Sequence, residues 1–183
     1  MKSPARGLFE GRRRAQFTVH ATLIAVLLLF SACKGSSSDT TPQPNAQPTT
    51  AAVKLSTVGT LPAGKKIGTI EITLTLAPGV TLKTGADPKE PDNGVVTASG
   101  SAINSLLAAN YTAPTSTQQG KVRIAVASLG FGTGEFATVN GDIAAGNIPK
   151  AADFSVSGFA VTDSENTSSP ISGLTPGLSV DIR

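Results

Sequence analysis

Residues 67–76 read Ile-Gly-Thr-Ile-Glu-Ile-Thr-Leu-Thr-Leu and carry the clearest structural signal in the chain. From Ile70 to Leu76 every second residue is a large aliphatic, and the residues between them are threonine or glutamate. Successive side chains of an extended strand point to opposite faces, so this alternation puts one face in a core and the other in water. A helix would need apolar residues three or four positions apart. The stretch therefore predicts a half-buried β-strand.

The same two-residue period recurs along the rest of the chain. It is clear in residues 122–126 and 178–182, and weaker in residues 53–58, 80–83, 95–99 and 135–143. Between Phe154 and Val161 the apolar residues change parity at Ser157-Gly158. An extra residue in a strand causes such a switch, so we expect a β-bulge there.

Short turn motifs separate these segments and set the fold class. The predicted turns are Ala77-Pro78-Gly79, Asp92-Asn93-Gly94, Asn140-Gly141-Asp142 and Thr175-Pro176-Gly177. Only residues 101–110 could form a helical turn or two. Many short strands with regular turns predict an all-β fold, an antiparallel β-sandwich.

The first 33 residues predict export and lipid anchoring. A basic segment precedes an apolar run over residues 21–30, and small Ser31 and Ala32 then precede the only cysteine, Cys33. This order is typical of a secretory signal, and the apolar run is shorter than the roughly 20 residues of a membrane span. Residues 30–33 (Phe-Ser-Ala-Cys) resemble the lipobox of bacterial lipoproteins.

The lipobox resemblance implies a signal peptide over residues 1–32, cleaved before Cys33, and membrane attachment through lipid on Cys33. Two alternatives stay open, a retained transmembrane helix and an ordinary signal peptide followed by an incidental cysteine. Residues 33–52 are rich in Ser, Thr and Pro, which predicts a flexible linker before a domain at residues 53–183.

Composition after cleavage excludes several classes of site. The one histidine, His20, lies in the predicted signal peptide, and the chain has no tryptophan. Zinc sites and histidine-dependent nucleophiles are therefore not expected. Five of the 15 basic residues and one of the 12 acidic residues precede Cys33, which leaves 10 basic against 11 acidic. No basic surface for nucleic acid is expected. We expect no cofactor and no enzymatic activity.

A few side chains stand out as candidate site residues. Asp87, Glu90 and Asp92 gather three carboxylates that would suit calcium, although two prolines and a lysine in the same segment favour a solvated turn. Two carboxylates could also hydrolyse a glycan. Tyr111 is predicted to be a half-buried rim residue with a bonded hydroxyl. Phe131, flanked by glycines, is predicted to be the most exposed of the late phenylalanines.

Three segments of the predicted domain resemble the cohesin-type domain, a β-sandwich related to carbohydrate-binding modules. They are residues 67–74 with the turn that follows, residues 121–127, and residues 134–139 (Gly-Glu-Phe-Ala-Thr-Val). The resemblance implies an immunoglobulin-like or jelly-roll type of sandwich. It also implies a non-enzymatic module that binds a protein, such as a dockerin-like partner, or a polysaccharide.

These features predict a lipid-anchored lipoprotein of the cell envelope that acts as a binding or scaffolding module, with a protein as partner. The alternatives are a structural lipoprotein that associates with itself, a polysaccharide-binding module and, more remotely, a carboxylate-based glycan hydrolase. Residue 34 is lysine and lacks the aspartate that retains lipoproteins of enteric bacteria in the inner membrane, so the outer membrane is favoured.

Overall fold

The computed structural model describes residues 47–166 and 169–183, in which nine strands form two antiparallel sheets. The strands are β1 (Thr50–Val58), β2 (Ile67–Thr75), β3 (Val80–Thr81), β4 (Val96–Ala98), β5 (Leu106–Thr112), β6 (Lys121–Phe131), β7 (Gly134–Ile143), β8 (Ser155–Asp163) and β9 (Thr175–Ile182). Two short 3-10 helices, Gly100–Ala102 and Ala151–Asp153, complete the described elements. The predicted antiparallel β-sandwich is confirmed.

One sheet has the order β3-β7-β1-β9, with β4 also paired to β7, and the other has the order β5-β6-β2-β8. Strand β2, which contains the alternating residues from Ile70 onward, lies in the middle of the second sheet. It pairs on one side with β6 and on the other with β8.

The core lies between the sheets and is built from the alternating aliphatic residues. Ile70, Ile72 and Leu74 of β2 are at most 1% exposed. Val53 and Leu55 of β1 and Phe136 of β7 come from the other sheet and are equally buried. Strands with one apolar face cannot bury it alone, so the two sheets bury theirs against each other.

The predicted β-bulge in β8 is confirmed. Thr73 of β2 lies opposite Ser157 and Glu71 lies opposite Ala160, so two steps on β2 match three steps on β8. Gly158 fills the extra position with φ of +62°, a conformation that L side chains rarely adopt. The bulge explains why the apolar residues of β8 change parity.

Two of the four predicted turns are present and two are wrong. Residues 77–79 and 92–94 form turns, with Gly79 and Gly94 at positive φ. The other two motifs, Asn140-Gly141-Asp142 and Thr175-Pro176-Gly177, lie inside strands β7 and β9.

Packing explains both of these errors. A Cβ on Gly141 would lie 2.7 Å from Cγ1 of Val80, so glycine at this position allows β3 to approach β7. Pro176 lies in β9, an edge strand of its sheet, where a missing backbone N–H is tolerated.

The predicted helical segment at residues 101–110 is mostly a strand. The helix covers only Gly100–Ala102, and β5 begins at Leu106. Leu107, Ala109 and Tyr111 point inward on β5, while the residues between them are exposed. Local propensity for helix is outweighed because pairing with β6 buries the inward side chains.

The described domain begins earlier than the predicted boundary at Val53. Strand β1 starts at Thr50, and Ala51 is 1% exposed between the sheets. Residues 50–52, assigned to the linker from their composition, are thus part of the first strand. The predicted signal peptide, Cys33 and the linker up to residue 46 lie outside the described residues.

The alternation in β2 and β6 predicts how two leucine substitutions will differ. Leu74→Ala should lower the free energy of unfolding by about 2–5 kcal/mol, because it removes a fully buried side chain and leaves a cavity. Leu129→Ala, at a leucine that is 101% exposed, should change it by no more than about 0.5 kcal/mol. Urea unfolding of both variants measures the difference, and equal effects would contradict the described register.

Candidate functional site

The outward face of the four-stranded sheet is made mostly of Ala, Ser and Thr side chains. Cross-strand register places its residues in four rows that run from β5 through β6 and β2 to β8. The rows are Leu106, Ala127, Thr69, Thr162; Ala108, Ala125, Glu71, Ala160; Asn110, Arg123, Thr73, Ser157; and Thr112, Lys121, Thr75, Ser155. We call this surface the outer face.

Polar contacts on the outer face run across strands. Arg123 Nη2 donates to Glu71 Oε2 at 2.8 Å, and both side chains are more than half exposed. The hydroxyls of Thr69 and Thr162 form a hydrogen bond of 2.5 Å between β2 and β8. An exposed ion pair of this kind contributes at most about 1 kcal/mol, so these contacts shape the surface more than they stabilise it.

An apolar patch lies at one end of the outer face. It is a shallow groove of about 510 Å³ lined by Asn104, Leu106, Ala127, Ser128 and Leu129. Leu106 is 80% exposed and Leu129 is 101% exposed, and the nearby Ile103 is 67% exposed. Single exposed apolar residues are common, but here two exposed leucines line the same groove.

The apolar patch lies at the end of the sandwich remote from Thr50. Thr50 lies opposite Asp142 near the end of β7, while the start of β7, Gly134, lies opposite Thr57 near the end of β1. Leu129 comes two residues before Phe131, where β6 turns into β7. A partner at this patch would therefore meet the domain away from the point where β1 begins.

Sequence reasoning missed Leu106 and Leu129. Leu106 fell within the predicted helical segment, so no strand parity was assigned to it. Leu129 was available from the alternation of β6, since Lys121, Arg123, Ala125 and Ala127 all share its outward parity. Extending that pattern by one more residue predicts an exposed leucine.

The aromatic residues lie mostly in the core. The prediction of a bonded hydroxyl for Tyr111 is confirmed, because its oxygen accepts the backbone N–H of Leu82 at 3.3 Å. The residue is 3% exposed, which is more buried than a rim position. The prediction for Phe131 is wrong, since it is buried at 7% exposure while Phe159 is only partly buried. Phe131 ends β6 opposite Ile67, so its side chain closes the core.

The candidate calcium residues do not form a metal site in the described part of the chain. Asp87 Oδ1 accepts the backbone N–H of Lys89 at 2.8 Å, so this carboxylate caps its own turn. Asp87, Glu90 and Asp92 are all exposed. The described residues contain no group of three or more His, Cys, Asp or Glu side chains that could hold a metal ion.

A second groove of about 520 Å³ lies at the Thr50 end and is lined by charged residues of both signs. It brings together two carboxylates, Asp92 and Asp142, with the cations Lys83 and Arg183. Lys83 Nζ is 3.8 Å from Asp142, and Arg183 pairs with Asp181. Opposite charges offset each other here, so the groove does not present a field of one sign to a ligand.

The most buried charged group of the described residues is Asp163, at the end of β8. Its side chain is 2% exposed, and Oδ2 accepts Lys65 Nζ at 2.5 Å. The hydrogen bond from Lys65 holds the pKa of Asp163 below its ordinary value, against the opposing effect of burial. The same contact raises the pKa of Lys65. This pair joins the loop before β2 to the end of β8 and is structural.

Comparison of the chain with protein-family models, curated proteins and solved structures gave no match. The cohesin resemblance therefore stays a prediction. No helix among residues 47–166 and 169–183 is long and apolar enough to cross a membrane. Cys33, the predicted lipidation site, lies outside those residues.

The Lys65–Asp163 pair predicts a pH dependence of stability. A carboxylate whose pKa is lowered by folding stabilises the fold above its unfolded pKa, and this contribution is lost as the pH falls through the folded pKa. Asp163→Asn should therefore lower the free energy of unfolding near pH 7, and its difference from wild type should shrink below about pH 4. Urea unfolding between about pH 2 and pH 7 measures this.

The control for that experiment is Asp87→Asn, which changes an exposed carboxylate whose capping role an amide oxygen can keep. The free energy of unfolding of Asp87→Asn should stay close to that of the wild type over the whole pH range. A deficit of Asp163→Asn that is equally large at both ends of the pH range would contradict a role for the ionised carboxylate.

Proposed function

We propose that the protein is a lipid-anchored module of the bacterial cell envelope that binds a protein partner and performs no catalysis. The observation that carries the proposal is the apolar patch, with two highly exposed leucines at the end of the sandwich remote from Thr50. The predicted lipid attachment precedes Thr50 in the chain, so the patch would face away from the anchored end.

Burial of the exposed leucines would supply binding free energy. Full burial of a leucine side chain is worth about 1.5–3 kcal/mol, so Leu106 and Leu129 together could contribute several kcal/mol. The small Ala, Ser and Thr side chains beside them leave the sheet surface open to a close approach by a partner backbone. Such a surface suits an apolar anchor residue of a protein partner.

The aromatic residues favour a protein over a polysaccharide as partner. Sugar-binding surfaces commonly stack flat rings against the pyranose face, and the four rows of the outer face contain no aromatic residue. Tyr111, Phe136 and Phe154 are buried in the core. A polysaccharide-binding module and a glycan hydrolase are accordingly less well supported.

Lipid anchoring through Cys33 is part of the same proposal. Lipid on Cys33 would hold the chain in the membrane, because two or more acyl chains give stable attachment. The outer membrane is the favoured destination. Residues 34–49 would then connect the anchor to β1, and at roughly 3.3 Å per residue they could span up to about 50 Å.

Cys33 provides a direct test of the anchor. Cells fed a labelled fatty acid should incorporate the label into the wild-type protein and into the control variant Ser36→Ala, but not into Cys33→Ser. The first two proteins should fractionate with outer membranes. Label retained by Cys33→Ser, or an unlabelled wild-type protein released into the medium, would contradict lipid anchoring.

Leu129 provides a test of partner binding. Wild-type protein solubilised with its anchor should retain a specific protein from envelope extract, identified by mass spectrometry. Titration of that protein should show at least about tenfold weaker binding to Leu129→Asp, because about 1.4 kcal/mol corresponds to a factor of ten. The matched control is Ile148→Asp, at an isoleucine that is 73% exposed outside the patch.

Retention that is equal for wild type and Leu129→Asp would show that the patch is not the docking surface. Absence of any retained protein over a range of salt concentrations would contradict the protein-binding proposal. A retained glycan would favour the polysaccharide-binding alternative.

A further inference from the structure

The sheet edges differ in how they are protected from pairing with other chains. Strands β3 and β4 have two and three residues, and β9 carries Pro176 and Asp181. Strand β8 has the bulge at Gly158, and residues 169–171 bond to it through the backbone of Val161 and Asp163. Short edges, proline, charge and bulges are the usual devices against edge-to-edge association.

Strand β5 has none of these devices. Leu106–Thr112 reads Leu-Leu-Ala-Ala-Asn-Tyr-Thr, seven residues without a charge or a proline. It pairs with β6 in continuous register and with no second strand in the described chain. A groove of about 300 Å³ runs beside it, bounded by Leu107, Ala108 and Ala109 on one side and residues 90–94 on the other. The middle of this edge therefore faces a groove whose far side is formed by residues 90–94 of the same chain.

The direction of the free backbone groups follows from one hydrogen bond. Tyr111 donates its N–H to the carbonyl of Lys89 at 2.7 Å, so the backbone groups of Tyr111 point away from β6. Strand geometry then points the N–H and C=O of Ala109 and Leu107 the same way. Within the described chain no hydrogen bond engages these four groups. They form two donor–acceptor pairs along the edge.

We propose that two copies of the protein pair through β5, antiparallel, about a twofold axis at Ala108. In this register Leu107 of each copy faces Ala109 of the other, and the free N–H and C=O groups of both residues are satisfied by four backbone hydrogen bonds. A register centred on Ala109 would pair Leu107 with Tyr111, whose N–H already bonds Lys89, and would lose those hydrogen bonds. The register centred on Ala108 places Ser105, which precedes the strand, opposite Tyr111 and needs no hydrogen bond there.

The side chains are compatible with this twofold pairing. Ala108 meets its own copy on the outer face, and Leu106 meets Asn110, so no bulky or charged group opposes its counterpart. Lys89 occupies the Tyr111 end of each strand, and residues 90–94 would line the seam beside Leu107, Ala108 and Ala109. The two four-stranded sheets would join into one sheet of eight strands. The pairing does not use Leu129, but it places Leu106 of the apolar patch at the seam, so substitutions at Ala108 test the pairing and Leu129→Asp tests partner docking.

Cysteine substitution in the full-length protein tests the register in intact cells. Ala108 has its backbone groups toward β6, so Ala108 and its counterpart would form a non-hydrogen-bonded pair with Cα atoms about 4.5 Å apart, within the range for a disulfide. Ala108→Cys should therefore give a disulfide-linked dimer under mild oxidation. Asn110→Cys should not, because the two cysteines would be about 13 Å apart along the seam.

Two controls test whether dimer formation depends on the β5 edge. Ala160→Cys places cysteine in the same row of the outer face but on β8, and should give no dimer above the wild-type background from Cys33. Ala108→Lys should lower the dimer fraction at least about tenfold in sedimentation of the detergent-solubilised protein, while Ala160→Lys should not. Mixing Ala108→Lys with Ala108→Asp should restore dimers, since opposite charges then meet across the seam.

Three results would overturn the proposal. The first is a yield of Ala108→Cys dimer no higher than the wild-type background. The second is cross-linking of Asn110→Cys or Ala160→Cys as efficient as that of Ala108→Cys, which would indicate random collision. The third is a disulfide from the cysteine introduced at position 108 to a different protein, which would show that the edge takes a strand from another partner.

Discussion

Ile72 and Ile124 lie opposite each other on β2 and β6 and are at most 1% exposed, in the aliphatic layer that holds the two sheets together. Each sheet has one apolar face, and neither can leave water without the other. The rest of the structure depends on this mutual burial. It fixes which parity of every strand points inward, and thus which residues are left on the surface, because a shift of one residue would expose the whole apolar set.

The polar groups drawn into this layer are all paired in the described part of the chain. Thr57, 4% exposed, bonds both the N–H and the carbonyl of Gly134, which ties the end of β1 to the start of β7. Asp163 accepts a hydrogen bond from Lys65, which lies just before the start of β2. Both contacts lie near the β6–β7 hairpin, so the end of the sandwich that carries the apolar patch is held by side chains as well as by strand pairing.

The composition of the surface follows from the same constraint, because the residues of the other parity are left in contact with water. Once the larger aliphatic residues of β2 and β6 are committed to the core, the outer face is left mainly with Ala, Ser and Thr, together with Asn110, Lys121 and one ion pair. Leu106 and Leu129 break that rule, since they have outward parity and yet are apolar. Burial in the core does not account for these two leucines, and they are the residues on which the proposal of partner binding rests.

The sequence by itself determined the all-β class, the strands at the centre of each sheet, two turns and the bulge in β8, because each depends on local alternation or on a glycine with positive φ. It also predicts the export signal and Cys33 as lipid acceptor. Tertiary structure alone decided that residues 140–142 and 175–177 continue strands, that β5 replaces a helix, and which strands form the edges. In these segments local preference is weak or points elsewhere, and pairing across the sheet, together with close packing at Gly141, contributes the larger free energy.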